Sequence, residues 1–279
     1  MPIHDLSYRH WDGPLRGAGS RWRVIAEAGI RLLLARRRFA AMLMLAWAPA
    51  LVQAGILYFA LTGVQGVDLP IGAQFFQISM AIQFLPLVLV MVWAGSGLIA
   101  GDLAAQALPL YFAKPITRLD YIAGKFGVIV FFLLLVYPAP PLALFLLAAG
   151  VAPDLTFLAQ NWWVGFSILG YGVLVAVIGS LFILALSSMA RSARIASVMF
   201  VGLVIFSDML ANLASLVTRS DLPLAFSAAK NMERLADAMF GLPSSVGIPW
   251  GLSLGVGVLV AVWSAWTLAR RIRPVEIVS

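Results

Sequence analysis

Cysteine is absent from the 279-residue chain. That excludes disulfides and thiolate metal sites, and it leaves the redox compartment unreadable. Charge is scarce: 11% of residues are Asp, Glu, Lys or Arg, against 62% hydrophobic, with a mean hydropathy of +0.97. A soluble domain carries about a quarter charged residues, and this chain has too few to coat the surface of a water-soluble fold of its size. Histidine is limited to His4 and His10, both in the N-terminal tail, so no apolar run holds an imidazole for a proton relay or a metal. With Asp5 and Asp12 they make at best a weak metal site, and the tail reads as solvated. No Gly-x-x-x-x-Gly-Lys-Ser/Thr phosphate cradle occurs, and no Ser/His/Asp set falls at one depth of a membrane.

What the chain does have is long apolar runs, each near the roughly 20 residues that cross a hydrocarbon core as helix. They are Phe39–Thr62, Gln77–Ala100, Phe126–Ala149, Trp163–Ser188, Ile195–Leu216 and Gly247–Leu268. An open sheet would leave backbone groups unpaired in lipid, so the spans must be helical. The first run begins too late and is too long for a cleaved signal peptide. The expected fold is an all-α integral membrane protein: a six-transmembrane-helix bundle over 39–269, with an N-terminal interfacial helix over 20–38 and an outer segment over 217–246 between helices five and six. Residues 1–19 and 270–279 are expected to be cytoplasmic tails.

The basic residues orient this bundle, since Arg and Lys stay on the cytoplasmic side of short loops. Sixteen of the 19 fall in the N-terminal stretch to Arg38, the loop after run two, the loop after run four and the C-terminal tail. The other three, Arg219, Lys230 and Arg234, share one loop on the opposite side. Both termini are therefore expected in the cytoplasm. The net charge of +7 reads as topological, not as a nucleic-acid footprint.

Three segments are neither spans nor plain turns. Over Ser20–Arg38, Trp22, Ile25, Gly29, Leu32 and Leu33 fall on one side of a helix and Arg23, Glu27 and Arg31 on the other, the pattern of a helix lying in the headgroup layer against anionic lipid. An ordinary stop-transfer flank explains the Arg36–Arg38 cluster equally well. In the outer segment, Met232, Leu235, Ala236 and Met239 make an apolar stripe opposite Lys230, Glu233 and Asp237; resting on the membrane surface is the expectation, capping a pathway the alternative. The loop 101–125 is predicted to hold a short helix from Asp102 to about Leu108, limited by Pro109 and Pro115, with Thr117 capping the next helix and Asp120 at the favourable end of its dipole. Its cluster of Leu108, Leu110, Tyr111, Phe112 and Ile116, flanked by Lys114 and Arg118, suits a docking surface for a soluble partner or packing under the bundle.

Within the runs, Gly97-x-x-x-Gly101 and Gly251-x-x-x-Gly255 read as close-packing positions. Pro138, Pro140 and Pro141 are expected to break the third span. Asp208 is the one acid well inside a span; intramembrane acids are costly and often functional, so it is a candidate for a translocation pathway, with Asn212 one turn away as a partner.

Trp93 through Asp102, the stretch Leu108–Lys125 with its Lys114-Pro115-Ile116-Thr117-Arg118 core and Tyr121…Gly124-Lys125, and the tail Arg270-Arg271-Ile272-Arg273-Pro274 together resemble the membrane subunits (permeases) of the ABC-2 family of ABC transporters. Thr117 stands where that family more often has Ser. The resemblance implies an exporter permease in the cytoplasmic membrane of a prokaryote, and a coupling helix in the loop 101–125 that seats in a cleft of an ATPase. The residues expected to carry this are Asp102, Leu108, Tyr111, Phe112, Lys114, Pro115, Arg118 and Asp120. It further implies two copies of a separate ATPase subunit, which would bind the ATP and Mg, and a second permease copy or close paralogue. The alternatives are a secondary transporter, a membrane-embedded enzyme and a membrane anchor for an assembly. A secondary transporter should show ionisable residues in several spans, and an enzyme a polar cluster at a membrane face.

The charge asymmetry makes a direct prediction. Single cysteines at Gly66 and Ala152 should react with an impermeant thiol reagent in intact cells, and cysteines at Ala113 and Val275 should not. External labelling at Ala113 would overturn the orientation.

Overall fold

A computed structural model describes residues 21–61, 71–114, 116–152 and 155–272. They are predominantly helical, with no strand among the described residues. Six helical stretches are long and apolar enough to cross a membrane: Arg37–Ala60, Ala73–Ala104, Arg118–Val151, Thr156–Met189, Ala193–Thr218 and Trp250–Arg271. Six such helices fit an integral membrane protein. They fall where the apolar runs place them, and Pro249 moves the start of the last from Gly247 to Trp250.

Helix α1 (Arg21–Leu34) precedes them. Its buried side, with Ala26 and Leu33, lies along the first part of α8 (Arg118–Val136). Glycines let the two approach. A Cβ on Gly124 would stand 2.6 Å from Ile25 Cβ, and one on Gly29 would stand 2.6 Å from a Val128 methyl. Leu32, expected on this face, is 61% exposed instead. At 3.6 residues per turn it sits about 80° from the line through Trp22, Ala26, Gly29 and Leu33.

The first three spans are each divided. Span one is α2 (Arg37–Ala46) followed by α3 (Ala48–Leu61), split where Pro49 cannot donate a backbone hydrogen bond. Span two is α4 (Ala73–Ile82), α5 (Phe84–Val90), a π turn over Met91–Gly95 and α6 (Gly97–Ala104). Pro86 accounts for the first break. At the second, Ser96 N–H reaches back to Met91 O at 3.2 Å, and α10 (Thr156–Met189) repairs the start of α6. Ser187 Oγ accepts from Ile99 N and Ala100 N at 3.2 and 2.9 Å and donates to Ser96 O at 2.7 Å. One side chain of α10 thus caps a helix in another span, where water is not at hand to do so. Span three is α8 then α9 (Ala139–Val151), broken at Tyr137–Pro138 as the prolines predict. The Pro138 ring fills the space at Gly172 of α10, where a Cβ would lie 2.4 Å from Pro138 Cβ. The bend is accommodated by its neighbour.

The last three spans, α10, α11 (Ala193–Thr218) and the C-terminal helix (Trp250–Arg271), are unbroken. Between the last two, a 3₁₀ turn at Leu222–Phe226 leads into α12 (Ala228–Met239), so that the final span is α13. Helix α12 touches α4, α10, α11 and α13, and therefore sits over the end of the bundle opposite the loop that joins spans two and three. Asp237 was expected on its solvent side, opposite the apolar stripe. It is buried, because three donors meet it: Gln77 Nε2 at 2.5 Å, Ser245 N at 2.8 Å and Ser245 Oγ at 2.6 Å. A buried carboxylate is tolerable when its lone pairs are filled in this way.

The Pro138–Gly172 contact yields a packing prediction. Gly172→Ala should destabilise the protein by about 1–3 kcal/mol, the usual range for overpacking a full core. Gly255→Ala should not: contrary to the close packing expected at Gly251 and Gly255, a Cβ at either meets nothing within 4 Å. Melting temperatures in one detergent would decide; equal values for the two variants would refute the contact.

Candidate functional site

The loop that joins spans two and three is built around a polar cluster. Helix α6 ends in a Schellman motif: Ala107 N–H bonds to Asp102 O at 2.9 Å and Gln106 N–H to Leu103 O at 3.2 Å, with Gln106 at φ +51°. That left-handed turn stops the helix at Ala104. The short helix predicted from Asp102 to Leu108 is therefore not the one formed. Asp102 lies in the last turns of α6, and the short helix is α7 (Leu108–Phe112), with Pro109 in its first turn, where a missing N–H costs nothing. Beyond it, Thr117 and Asp120 form the capping box of α8. Thr117 Oγ1 accepts from Asp120 N at 3.1 Å, and Asp120 Oδ2 accepts from Thr117 N at 3.0 Å, a pairing that typically stabilises a helix start by about 1 kcal/mol.

These turns bring α6, α7 and α8 to one point. Lys125 Nζ lies 2.7 Å from Asp102 Oδ2, and Tyr121 donates its hydroxyl to the same oxygen at 2.7 Å. Lys125 also stands over two aromatic rings, 5.5 Å from the Tyr121 centroid and 5.7 Å from that of Tyr111. Tyr111 meets Tyr121 edge-on at 5.2 Å, and Phe112 tilts against Tyr121 at 6.3 Å. Tyr121 and Lys125 are buried. Burial first, and the Asp102 carboxylate second, push the Tyr111 phenol above its ordinary pKa. In low dielectric the pair holds only because each charge keeps several partners.

The expected site residues divide accordingly. Asp102, Tyr111 and Phe112 belong to the cluster, and Leu108 packs half-buried beside the core. Lys114 and Arg118 are exposed. Pro115 lies outside the described residues, as do the tail residues 1–19 and 273–279. Leu110 and Leu119, at 71% and 77% exposure, carry the loop's open apolar surface. Tyr121 and Lys125 are the residues sequence reasoning left out of the site. The signal available was that Asp102 and Lys125 are opposite charges at the two ends of one loop.

On α1, Arg31 pairs with Glu27 at 2.5 Å on an exposed face, and the Arg23 guanidinium stands 5.5 Å from the Trp22 ring. Asp208 lies near the other end of the bundle. Its Oδ1 accepts from Ser227 Oγ at 2.6 Å, while Asn212 donates to the Asp208 backbone carbonyl at 2.7 Å rather than to the carboxylate. Ser227 Oγ also caps α12 by accepting from Lys230 N at 3.0 Å. Asp208 thus holds the start of α12 in place. No group of three or more metal-ligating side chains occurs among the described residues.

Comparison with protein-family models gives no match, and comparison with curated proteins gives none either.

The cluster predicts a specific pattern of stabilities. Asp102→Leu alone strands the Lys125 ammonium and should cost about 3 kcal/mol, as removing one partner of a buried pair does. Adding Lys125→Met should restore most of the loss. A double variant less stable than the single would show that the two charges do not depend on each other.

Proposed function

We propose that the chain is the permease subunit of an ATP-binding-cassette exporter, working beside a second copy and driven by two copies of a separate ATPase. The loop between spans two and three is the coupling element. The observation that carries this reading is the contrast within the loop. Its inner side is locked by Asp102, Tyr121 and Lys125 to the ends of two spans, while its outer side presents Leu110, Lys114, Arg118 and Leu119 with nothing over them. A partner that grips the outer side pulls on α6 and α8 through short, strong contacts rather than through a slack linker. ATPase closure would then tilt spans two and three and reopen the pathway between the permeases. The bundle would sit in a prokaryotic cytoplasmic membrane with both termini inside. Helix α1, with Arg23, Glu27 and Arg31 on its open face and Trp22 on the side packed against α8, would lie at the headgroup layer against anionic lipid.

Exposure ranks the loop residues for experiment. A large apolar side chain buried by a partner contributes about 2 kcal/mol, and a rim ion pair at most about 1 kcal/mol. Leu110→Asp should therefore reduce ATPase co-purification more than tenfold without lowering the melting temperature, and Lys114→Ala should reduce it less. Phe112→Ala should lower both assembly and melting temperature, because it packs on Tyr121. If Leu110→Asp combined with Arg118→Ala leaves assembly and export at wild-type levels, the loop is not the coupling element.

A further inference from the structure

Four of the six spans line a half-open cavity of about 420 Å³. Helix α5 with the π turn that follows it, α10, α11 and α13 form its walls, through residues such as Leu87, Met91, Val175, Val204 and Val260, and Met232 and Leu235 of α12 close one side. No Asp, Glu, Lys or Arg lines it; apart from aliphatic, aromatic and glycine positions it has only Ser207, Asn231 and Ser253. Asp208, the candidate pathway acid, is not among the lining residues. Its volume falls in the range of small-molecule sites, in which an apolar wall with a few placed polar groups sets the ligand's character.

Two of those polar groups lack partners. Asn231 spends its amide hydrogens on Ala225 O and Ser227 O, at 2.6 and 2.7 Å. Both acceptors are carbonyls, so the amide cannot be turned round, and Oδ1 is the atom left over. That oxygen and Ser253 Oγ are buried without a hydrogen-bond partner among the described residues. Unmet polar atoms away from water are costly, and here two belong to residues that line the same apolar space.

We propose that this cavity is a binding site for a membrane amphiphile: its hydrocarbon part lies among Met91, Val175, Val204 and Val260, and a hydroxyl or N–H donor on the ligand answers Asn231 Oδ1. The absence of charge on the walls disfavours ions, sugars and charged peptides, whose desolvation nothing here would offset. A lipid of the bilayer and a foreign amphiphile share the required chemistry. As the class of cargo, this deepens the exporter reading and rests on it; occupancy of the cavity does not.

The test uses the purified chain without any ATPase and a long-chain alcohol bearing a diazirine. Photolysis followed by mass spectrometry should place adducts on Met91, Val204 and Val260. Val204→Trp, which fills the space, should reduce those adducts at least tenfold while leaving adducts on the exposed Leu216 and Val262 unchanged. Val260→Phe serves as a second filling variant should the first not fold. The methyl ether of the same probe, which cannot donate, should label the cavity several-fold less than the alcohol. Adducts confined to Leu216 and Val262, or cavity labelling indifferent to both filling variants, would overturn the site. Equal labelling by alcohol and ether would overturn the role of Asn231. Failure of an ATPase to associate would sink the exporter reading and leave the photolabelling result standing, so the two can be told apart.

Discussion

A backbone amide in hydrocarbon must find its partner inside the protein, and this requirement orders the whole molecule. It makes every span a helix, and it makes every interruption of a helix a debt to be met by a neighbour. The interruption in span two is met by Ser187, whose single oxygen serves two N–H groups and one carbonyl of another span. That at Pro138 is met by shape, because Gly172 leaves room for the ring. Gln83, at the α4–α5 break, is buried with both side-chain polar atoms unpartnered among the described residues.

The same economy of partners produces the two polar knots at the ends of the bundle. At one end Asp102 gathers Lys125 and Tyr121; at the other Asp237 gathers Gln77 and both polar groups of Ser245. Each knot joins segments far apart in sequence and fastens a short helix, α7 or α12, over the spans. The charges that a bilayer makes expensive are spent where they tie separate elements together. Asp208 follows this rule too, since its carboxylate is taken up by the residue that starts α12.

Much of this was legible beforehand. Apolar run length located the six spans because the hydrocarbon core imposes a length on each, and Thr117 announced a helix cap because that signal is local; the bond from Thr117 N–H back to Asp120, which completes a capping box, came only with the structure. What was not legible depends on distant partners. Periodicity showed that Met232, Leu235, Ala236 and Met239 share a face of α12, but nothing local showed that Gln77 and Ser245 would come to Asp237 and make its burial affordable. The Asp102–Lys125 pair was hidden for the same reason, since its geometry depends on a left-handed Gln106 that no glycine advertises. Leu110 and Phe112 looked alike in sequence; only the position of Tyr121 makes one exposed and the other half-covered.

The division of the spans has a mechanical consequence. Spans one to three are each made of pieces, and spans four to six are each one continuous helix, α10 alone running 34 residues, about 51 Å of unbroken rod. A continuous helix resists bending along its length, whereas a broken one flexes at its joints. The N-terminal half of this molecule is therefore jointed and the C-terminal half continuous. The joints at the π turn and at Pro138 are both held by α10, through Ser187 and Gly172, so a displacement of α7, which lies between spans two and three, would be passed to that continuous helix rather than lost in the breaks.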